Sequence, residues 1–485
     1  MTNRSNEISM GDVDITVDKI VTNLLGLDSS KSMGPDGLHP HFLKLLVNEI
    51  AFPLYLIFNK SLMEGEIPDD WKFANVTAIF KKGNKTEAGN YRPISLTSII
   101  CKILESIIKD SLMLYLEDHK MLSDTQHGFR YGRSCVTQLL EVMEDFSSLI
   151  DAGNDIDVIY LDFRKAFDSV PHERLFVKLK TYGIGGNVLS WIKSFLTNRT
   201  QRVKVANTLS SPKDVTSGVP QGSVLGPLLF ILYINDLPDV IDSHCKIFAD
   251  DTKIYSSACN SHILQKDIHS LLNWSERWQL HFNISKCNVL HIGKNNVHHT
   301  YYVETTGTKT LTVTHAERDL GVIFDECMTF DIHIQNTVNK ATKIIGLVFR
   351  SFVHMNIEMF LTLFKSIIRP ILEYGNCVWS PLYKRQSILL ENVQRRATKL
   401  VSELEHMTYT NRLKYLGLPS LKYRRKRGDL IQLFKIIHHL DNLEHSKFFT
   451  FSPITFTRGD KFKIFITRWS SSIRQNSFIS RTVSS

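Results

Sequence analysis

The sequence predicts an α+β protein, and three observations carry that reading. Up to about residue 325, strand-like apolar runs alternate with amphipathic helical spacing. Beyond about Phe330 helical spacing continues without such runs, and basic residues gather at Arg395, Arg396, Lys399 and then Arg424, Arg425, Lys426 and Arg427. Several apolar runs carry carboxylates at their ends. The most concentrated case is "KIFADDTKIY" from Lys246 to Tyr255, with Asp250 and Asp251 side by side. A boundary between the two textures is expected near 325.

Length and composition agree. A chain of 485 residues is long enough for about three domains of roughly 150 residues, each with its own core. Hydrophobic content of 43% and charged content of 22% fit a globular chain and exclude a disordered one. The net charge of +9 favours a polyanionic partner, nucleic acid first and a membrane surface second. The seven cysteines are scattered without a CxxC pair, which indicates neither a zinc knuckle nor a disulfide framework. Reduced thiols in the nucleus and cytoplasm are expected. The opening "MTNRSNEISMGDVD" lacks the apolar stretch of a signal peptide, and "LGPLLFILYIND" is too short to span a bilayer. The latter reads as a buried helix.

Taken in order, residues 15–30 have helical spacing at Ile20, Val21, Leu24 and Leu25, followed by the turn cluster "SKSMGPDGLHP". A second helix starts near Pro40. Val76 to Phe80 predicts a strand, leading into the basic loop "KKGNKTEAGNYRPISL", and 98–118 predicts a long amphipathic helix. "DVIYLDF" (157–163) predicts an apolar strand with Asp162 near its end. Ser169, Pro171 and the Leu175/Leu179 spacing then start a helix that Gly183 can end. "QRVKV" (201–205) predicts a strand, followed by the Gly-rich "SGVPQGSVLGP" and a helix from Pro227 to Leu237. Ile247–Phe248 and Ile254–Tyr255 predict two strands joined by a tight turn. A helix over 261–279, the strand "KCNVLHIG" and one further strand, "RDLGVIFD" (318–325), complete the strand-rich part.

Two adjacent carboxylates in a sheet-forming stretch need a physical reason. Successive strand residues face opposite sides, so within a strand one would point into the core, and an unpaired buried carboxylate costs several kcal/mol. A turn lifts both to one sheet edge. If the strand ending at Asp162 neighbours this hairpin, three carboxylates converge there, an arrangement that divalent cations would neutralise. Hard oxygen ligands suit Mg²⁺, and two such ions roughly 4 Å apart serve an in-line phosphoryl displacement. The competing reading is a solvated acidic hairpin and an unrelated strand-end aspartate.

"YLDFRKAFDSVPHERL", "SGVPQGSVLGPLLFILYINDL" and "FADD" occur in the order and rough spacing of reverse transcriptases. The flanking "GPDGLHPHFLK", "NYRPISLTSIICKILE", "QHGFRYGRSCVTQLL", "KCNVLHIG" and "RDLGVIFD" narrow the resemblance to non-LTR (LINE-type) retrotransposons, jockey-like ones above all. The tail, "RPILEYGNCVWSP" and "LENVQRRATKL", resembles their C-terminal region, so the likeness covers nearly the whole chain. It implies a right-hand polymerase with fingers, a ferredoxin-like palm and a helical thumb. The expected division is 1–61 as an N-terminal fingers extension, 62–325 as fingers and palm, and 326–485 as thumb and basic C-terminal region.

By the same resemblance Asp162 and Asp250 are the principal metal ligands, with Asp251 beside them and the Phe163 carbonyl completing the shell, for two Mg²⁺ ions or Mn²⁺ as a substitute. Phe167 stands where the family carries an aromatic gate against the 2′-hydroxyl; as a bare residue it also reads as core. Gln221 resembles the glutamine packed against the incoming nucleotide. Gly218, Gly222 and Gly226 let backbone approach template and nucleotide, although turns and caps explain glycines too. Lys81, Lys82 and Arg92 would grip the triphosphate, Arg92 foremost because its fork is bidentate, with a solvated hairpin surface as the alternative for the lysines. Lys286 matches a possible general acid for pyrophosphate departure. Arg395, Arg396 and Arg424 to Arg427 would track phosphates of template and primer; nuclear targeting and a solvated helix face compete with that.

The expected partners are an RNA template, a DNA primer or target and dNTPs, without a membrane. Elements of this kind usually carry an apurinic-type endonuclease upstream, whereas this chain opens almost directly on "SKSMGPDGL". A shortened copy is therefore expected. The leading expectation is an RNA-directed DNA polymerase. The alternatives are a domesticated or decayed RNA-binding protein without turnover and, third, a maturase-like splicing cofactor.

Overall fold

The strands grow from the apolar runs. In chain order they are β1 (Phe73–Phe80), β2 (Tyr91–Leu96), β3 (Ile156–Leu161), β4 (Arg199–Val205), β5 (Thr208–Leu209), β6 (Lys213–Val215), β7 (His244–Phe248), β8 (Asp251–Ser257), β9 (Asn288–Ile292), β10 (Tyr302–Glu304), β11 (Thr308–Thr310), β12 (Thr312–Thr314), β13 (Ala316–Asp319) and β14 (Val322–Asp325). The computed structural model describes residues 9–206, 208–304, 307–352, 354–451, 464–465 and 468–483. These fall into two compact units. The first takes in residues up to Phe129, then Asp162–Ile241 and His269–Asn283; the second takes in Arg130–Leu161, Asp242–Ile268 and Ile284 onward.

In the first unit the strand order is β2-β1-β4-β5, with β6 also on β4. β1 and β2 form an antiparallel hairpin in which Ile79 faces Arg92, and Phe80 meets Tyr91 edge-on at 5.4 Å between centroids. The Ile99–Asp118 helix begins at Ser98, whose hydroxyl accepts from the Cys101 amide, satisfying one of the helix's orphan donors. The His172–Thr181 helix ends as its sequence anticipates: Gly183 takes φ +71 and the Ile184 amide donates back to the Leu179 carbonyl. The Gly226–Ile234 helix is apolar all round and buried from Leu228 to Ile234, as a helix without a polar face must be. Each such side chain contributes roughly 1.5–3 kcal/mol.

One charge is buried with this helix. Lys178 lies among Tyr233, Trp274 and Trp278, 3.9–4.8 Å from their ring centroids, and pairs with Asp236 at 2.5 Å. Burial pushes its ammonium down to about 8, partly offset by Asp236. Among the described residues no helix is long and apolar enough to cross a membrane.

In the second unit the order is β12-β9-β3-β8-β7, antiparallel except for β12 on β9. β3 is the middle strand, and its buried Asp157 accepts from His291 Nδ1, Asn296 Nδ2 and the Tyr301 hydroxyl at 2.6–2.9 Å. The Cys135–Asp151 helix packs on this sheet, where Phe146 meets Tyr255 and Phe324 edge-on. The helices beyond Asp331 share that core: Trp379, Leu390, Val401, Ile436 and Phe478 belong to the same buried cluster as Phe146 and Val158. Residue 325 thus lies inside this unit.

One element differs from its sequence reading. "RDLGVIFD" is not a single strand but the hairpin β13–β14, with Asp319 facing Val322. Leu320 and Gly321 form its two-residue turn at φ +43 and +91, the left-handed pair that a tight hairpin requires. Leucine is a poor signal for that position.

Candidate active site

The β7–β8 hairpin is as tight as its sequence suggests. Phe248 faces Asp251, so Ala249 and Asp250 alone make the turn, with Ala249 at φ +53. Asp250 sits in the turn, and Asp251 is exposed at the start of β8. On the other side of β8, Leu161 faces Thr252. Asp162 follows Leu161 directly in the chain, and Asp251 directly precedes Thr252. Among the described residues no group of three or more histidine, cysteine, aspartate or glutamate side chains is gathered closely enough to hold a metal ion.

Beyond Asp162 the chain forms a bridge with Phe282. The Asp162 carbonyl accepts from the Asn283 amide and the Arg164 amide donates to the His281 carbonyl, while the Phe163 ring stacks on Phe282 at 4.5 Å. This pattern engages the Asp162 carbonyl and the Arg164 amide and leaves the Phe163 carbonyl out of the bridge. Four residues on, Phe167 is half-buried and stacks on Phe230 at 4.4 Å.

The Gly-rich loop is fastened at several points within the first unit. The Gly218 amide donates to Val170 and the Val219 amide to Phe167. The Ser95 amide on β2 donates to the Gln221 carbonyl at 2.6 Å. Gly218 has φ +88, and a Cβ there would lie 2.6 Å from the Asp168 carbonyl oxygen; Gly222 has φ +117, and a Cβ there would lie 2.5 Å from the Ser95 carbonyl oxygen. Both positions therefore demand glycine. At the loop's far end the buried Glu105 carboxylate accepts from the Val224 and Leu225 amides at 2.7 and 2.9 Å. Burial holds that carboxyl above its ordinary range in spite of these donors. Gly226 lies against Ser223 and the Pro220 carbonyl.

A cleft of about 510 Å³ opens beside this loop, lined among others by Pro93, Lys165, Asp168, Gly218 and Gln221. The Gln221 amide donates to Asp168 Oδ1 at 3.0 Å. Burial raises the Asp168 carboxyl; the Gln221 hydrogen bond and the charges of Lys165 and Lys81 work against it. Of the hairpin cations, Lys81 is therefore within electrostatic reach of the cleft. Lys82 and Arg92 are exposed, Arg92 next to the cleft-lining Pro93.

Lys286 is exposed in a short 3-10 turn before β9. In the second unit, the structure divides the basic cluster of the Leu421–Ile437 helix. Arg424 forms a two-pronged ion pair with Glu373, and Arg425 is buried against Ser387. Lys426 and Arg427 are exposed, as are Arg395 and Arg396.

Sequence reasoning missed a buried pair beneath the carboxylate hairpin. Lys253, two residues along β8 from Asp251 and so on the same strand face, is buried with Asp319 and donates also to Gln138 Oε1 at 3.0 Å. A lysine inside an apolar strand is the signal that could have found it, since lysine is almost never buried unless paired. Asp168 was missed as well, although it adjoins Phe167.

Carboxylates at strand ends, and separately a glycine loop beside a polar cleft, are features that suit phosphoryl transfer to a growing nucleotide chain, the chemistry of nucleotidyltransferases. Residues 79–347 match the family "Reverse transcriptase (RNA-dependent DNA polymerase)", and the chain belongs to that family. It is 30% identical over 416 residues to the "Probable RNA-directed DNA polymerase from transposon BS" of Drosophila melanogaster, covering 80% of this chain and 45% of that protein. It is 29% identical over 391 residues to the "Probable RNA-directed DNA polymerase from transposon X-element" of the same organism, covering 78% and 43%. It is also 29% identical over 412 residues to the "RNA-directed DNA polymerase from mobile element jockey" of that fly, covering 80% and 44%. The chain spans less than half the length of these relatives.

Proposed function

We propose that this chain is the RNA-directed DNA polymerase of a jockey-like non-LTR retrotransposon, extending a DNA 3′-hydroxyl on an RNA template. The observation that carries the reading is the two-residue β7–β8 turn with its adjacent carboxylates, registered against the strand that runs into Asp162. The donor set is all hard oxygen, which fits Mg²⁺. Asp162, Asp250 and Asp251 would hold it together with the Phe163 carbonyl, which the Phe282 bridge leaves out. When bound, two such ions neutralise charge on the attacking and leaving oxygens of an in-line displacement.

The chain's own groups do the rest. Lys81, Lys82 and Arg92 attract and orient the triphosphate, and Gln221, oriented by Asp168, packs against the incoming nucleotide. Phe167 excludes the 2′-hydroxyl by shape. Gly218 and Gly222 bring bare backbone close to template and nucleotide. Lys286 protonates the departing pyrophosphate. Arg395, Arg396, Lys426 and Arg427 follow the phosphates of template and primer.

Primer extension by the purified chain tests this, with an RNA template, a DNA primer, dNTPs and Mg²⁺, beside the Asp250→Asn/Asp251→Asn double variant. Extension by the wild type alone is expected. Equal extension by both would remove the aspartates from the chemistry, and a folded wild type that binds RNA yet stays silent would favour RNA binding without turnover.

A further inference from the structure

We infer that Phe129 is a positioning residue for sugar discrimination, holding the ring of Phe167; the inference rests on the polymerase reading and on Phe167 as the gate. A ring that rejects a 2′-hydroxyl by shape must keep its plane and its distance, since a small displacement reopens the space it guards. Two rings restrain Phe167. Phe230 stacks on it at 4.4 Å and 23° from within the buried Gly226–Ile234 helix. Phe129 meets it edge-on, at 6.5 Å between centroids and 84° between planes. A stacked face and a perpendicular edge together fix the tilt and the sideways position of the ring between them.

Phe129 is not buried in order to do this. It is 52% exposed, so hydrophobic burial does not account for its orientation. Its backbone stands at φ +57, a region that bulky residues rarely adopt. The loop before it is fastened by hydrogen bonds. The Gly128 amide donates to Gln126 Oε1 at 2.7 Å, and Gln126 is itself buried. The Ser123 amide donates to Asn235 Oδ1 and Asn235 Nδ2 donates to the Met121 carbonyl, both at 2.8 Å. Asn235 directly follows the helix that carries Phe230. One helix therefore sets both rings that flank Phe167, from the stack and from the anchored loop.

The test is single-nucleotide addition by the full chain, on an RNA template with a DNA primer, with dCTP and CTP compared opposite a template G. The readout is the ratio of their kcat/KM values, which a merely structural loss would lower for both substrates alike. Phe129→Ala should cut that ratio by roughly three- to tenfold, the range expected for losing one aromatic pair. Phe129→Tyr, which keeps the ring, should restore it. In a Phe167→Ala background, Phe129→Ala should change the ratio no further. If Phe167→Ala relaxes selection while Phe129→Ala leaves the ratio unchanged, the inference fails and the gate stands. Independent, multiplying effects in the double variant also overturn it. If Phe167→Ala itself leaves the ratio unchanged, the gate reading fails and Phe129 loses its role with it.

Discussion

At Lys253 one ammonium is buried in the strand that begins at Asp251, and its partners come from distant parts of the chain, Gln138 and Asp319. Burial lowers its pKa, and Asp319 opposes the shift most strongly. Removing one member of such a pair strands the other charge in a poorly solvating interior. Lys253→Met should therefore destabilise the protein by about 3–5 kcal/mol, whereas removing both charges in Lys253→Met/Asp319→Leu should recover most of that loss. Unfolding midpoints of the two variants against wild type check the expectation. Two equally unstable variants would mean that packing rather than charge governs the site.

Elements that rest on local chemistry were legible in the sequence. The β7–β8 hairpin, the β3 strand and the His172–Thr181 helix stand where apolar spacing, proline and Gly183 put them. What escaped depends on partners far away or on turn residues of low propensity. The β13–β14 hairpin was hidden by a leucine at a left-handed position, and "RRKR" looked like one continuous patch because Glu373 lies 51 residues from Arg424. The same helix makes a prediction about nucleic-acid binding. Lys426→Gln/Arg427→Gln should reduce the slope of log affinity for RNA against log salt by about one unit or more. Arg425→Gln should leave that slope unchanged while lowering stability, because this arginine is spent on Ser387. Salt titration of RNA binding separates the two, and a flat response to the exposed pair would take this helix out of the interface.

For the molecule as a whole, one response to pH comes from a histidine that folding keeps neutral. His333 is buried against Trp379, and its Nδ1 accepts from the Ile323 amide, a bond only the unprotonated nitrogen can make. Burial first, and Arg318 second, push its pKa down to about 4 from 6.5. Between those values the unfolded chain binds a proton that the folded one refuses. The stabilisation is thus complete above pH 6.5 and lost as pH falls toward 4, on the order of 2–3 kcal/mol. His333→Asn keeps an acceptor that does not titrate, so its stability should fall less steeply across that window. Denaturation midpoints at pH 7, 5.5 and 4.5 measure the difference; parallel curves would clear His333 of any part in it.

The second unit's single core also bears on how such a gene tolerates damage. Arg474 pairs with Glu144 and also bonds Ser147 at 2.8 Å, and Ser470 and Ser471 bond Asp151, all on the helix that backs the central sheet. Phe478 and Ile479 fill the same interior as Val158 on β3. A stop codon or frameshift ahead of Ser470, far along the chain from Asp250 and Asp251, would strip the cover from the strand that leads into Asp162. On the proposed polymerase reading, a lesion that removes these helices should silence a copy as a change of Asp250 would, and a search for active copies has to read past the aspartates to residues 470–479.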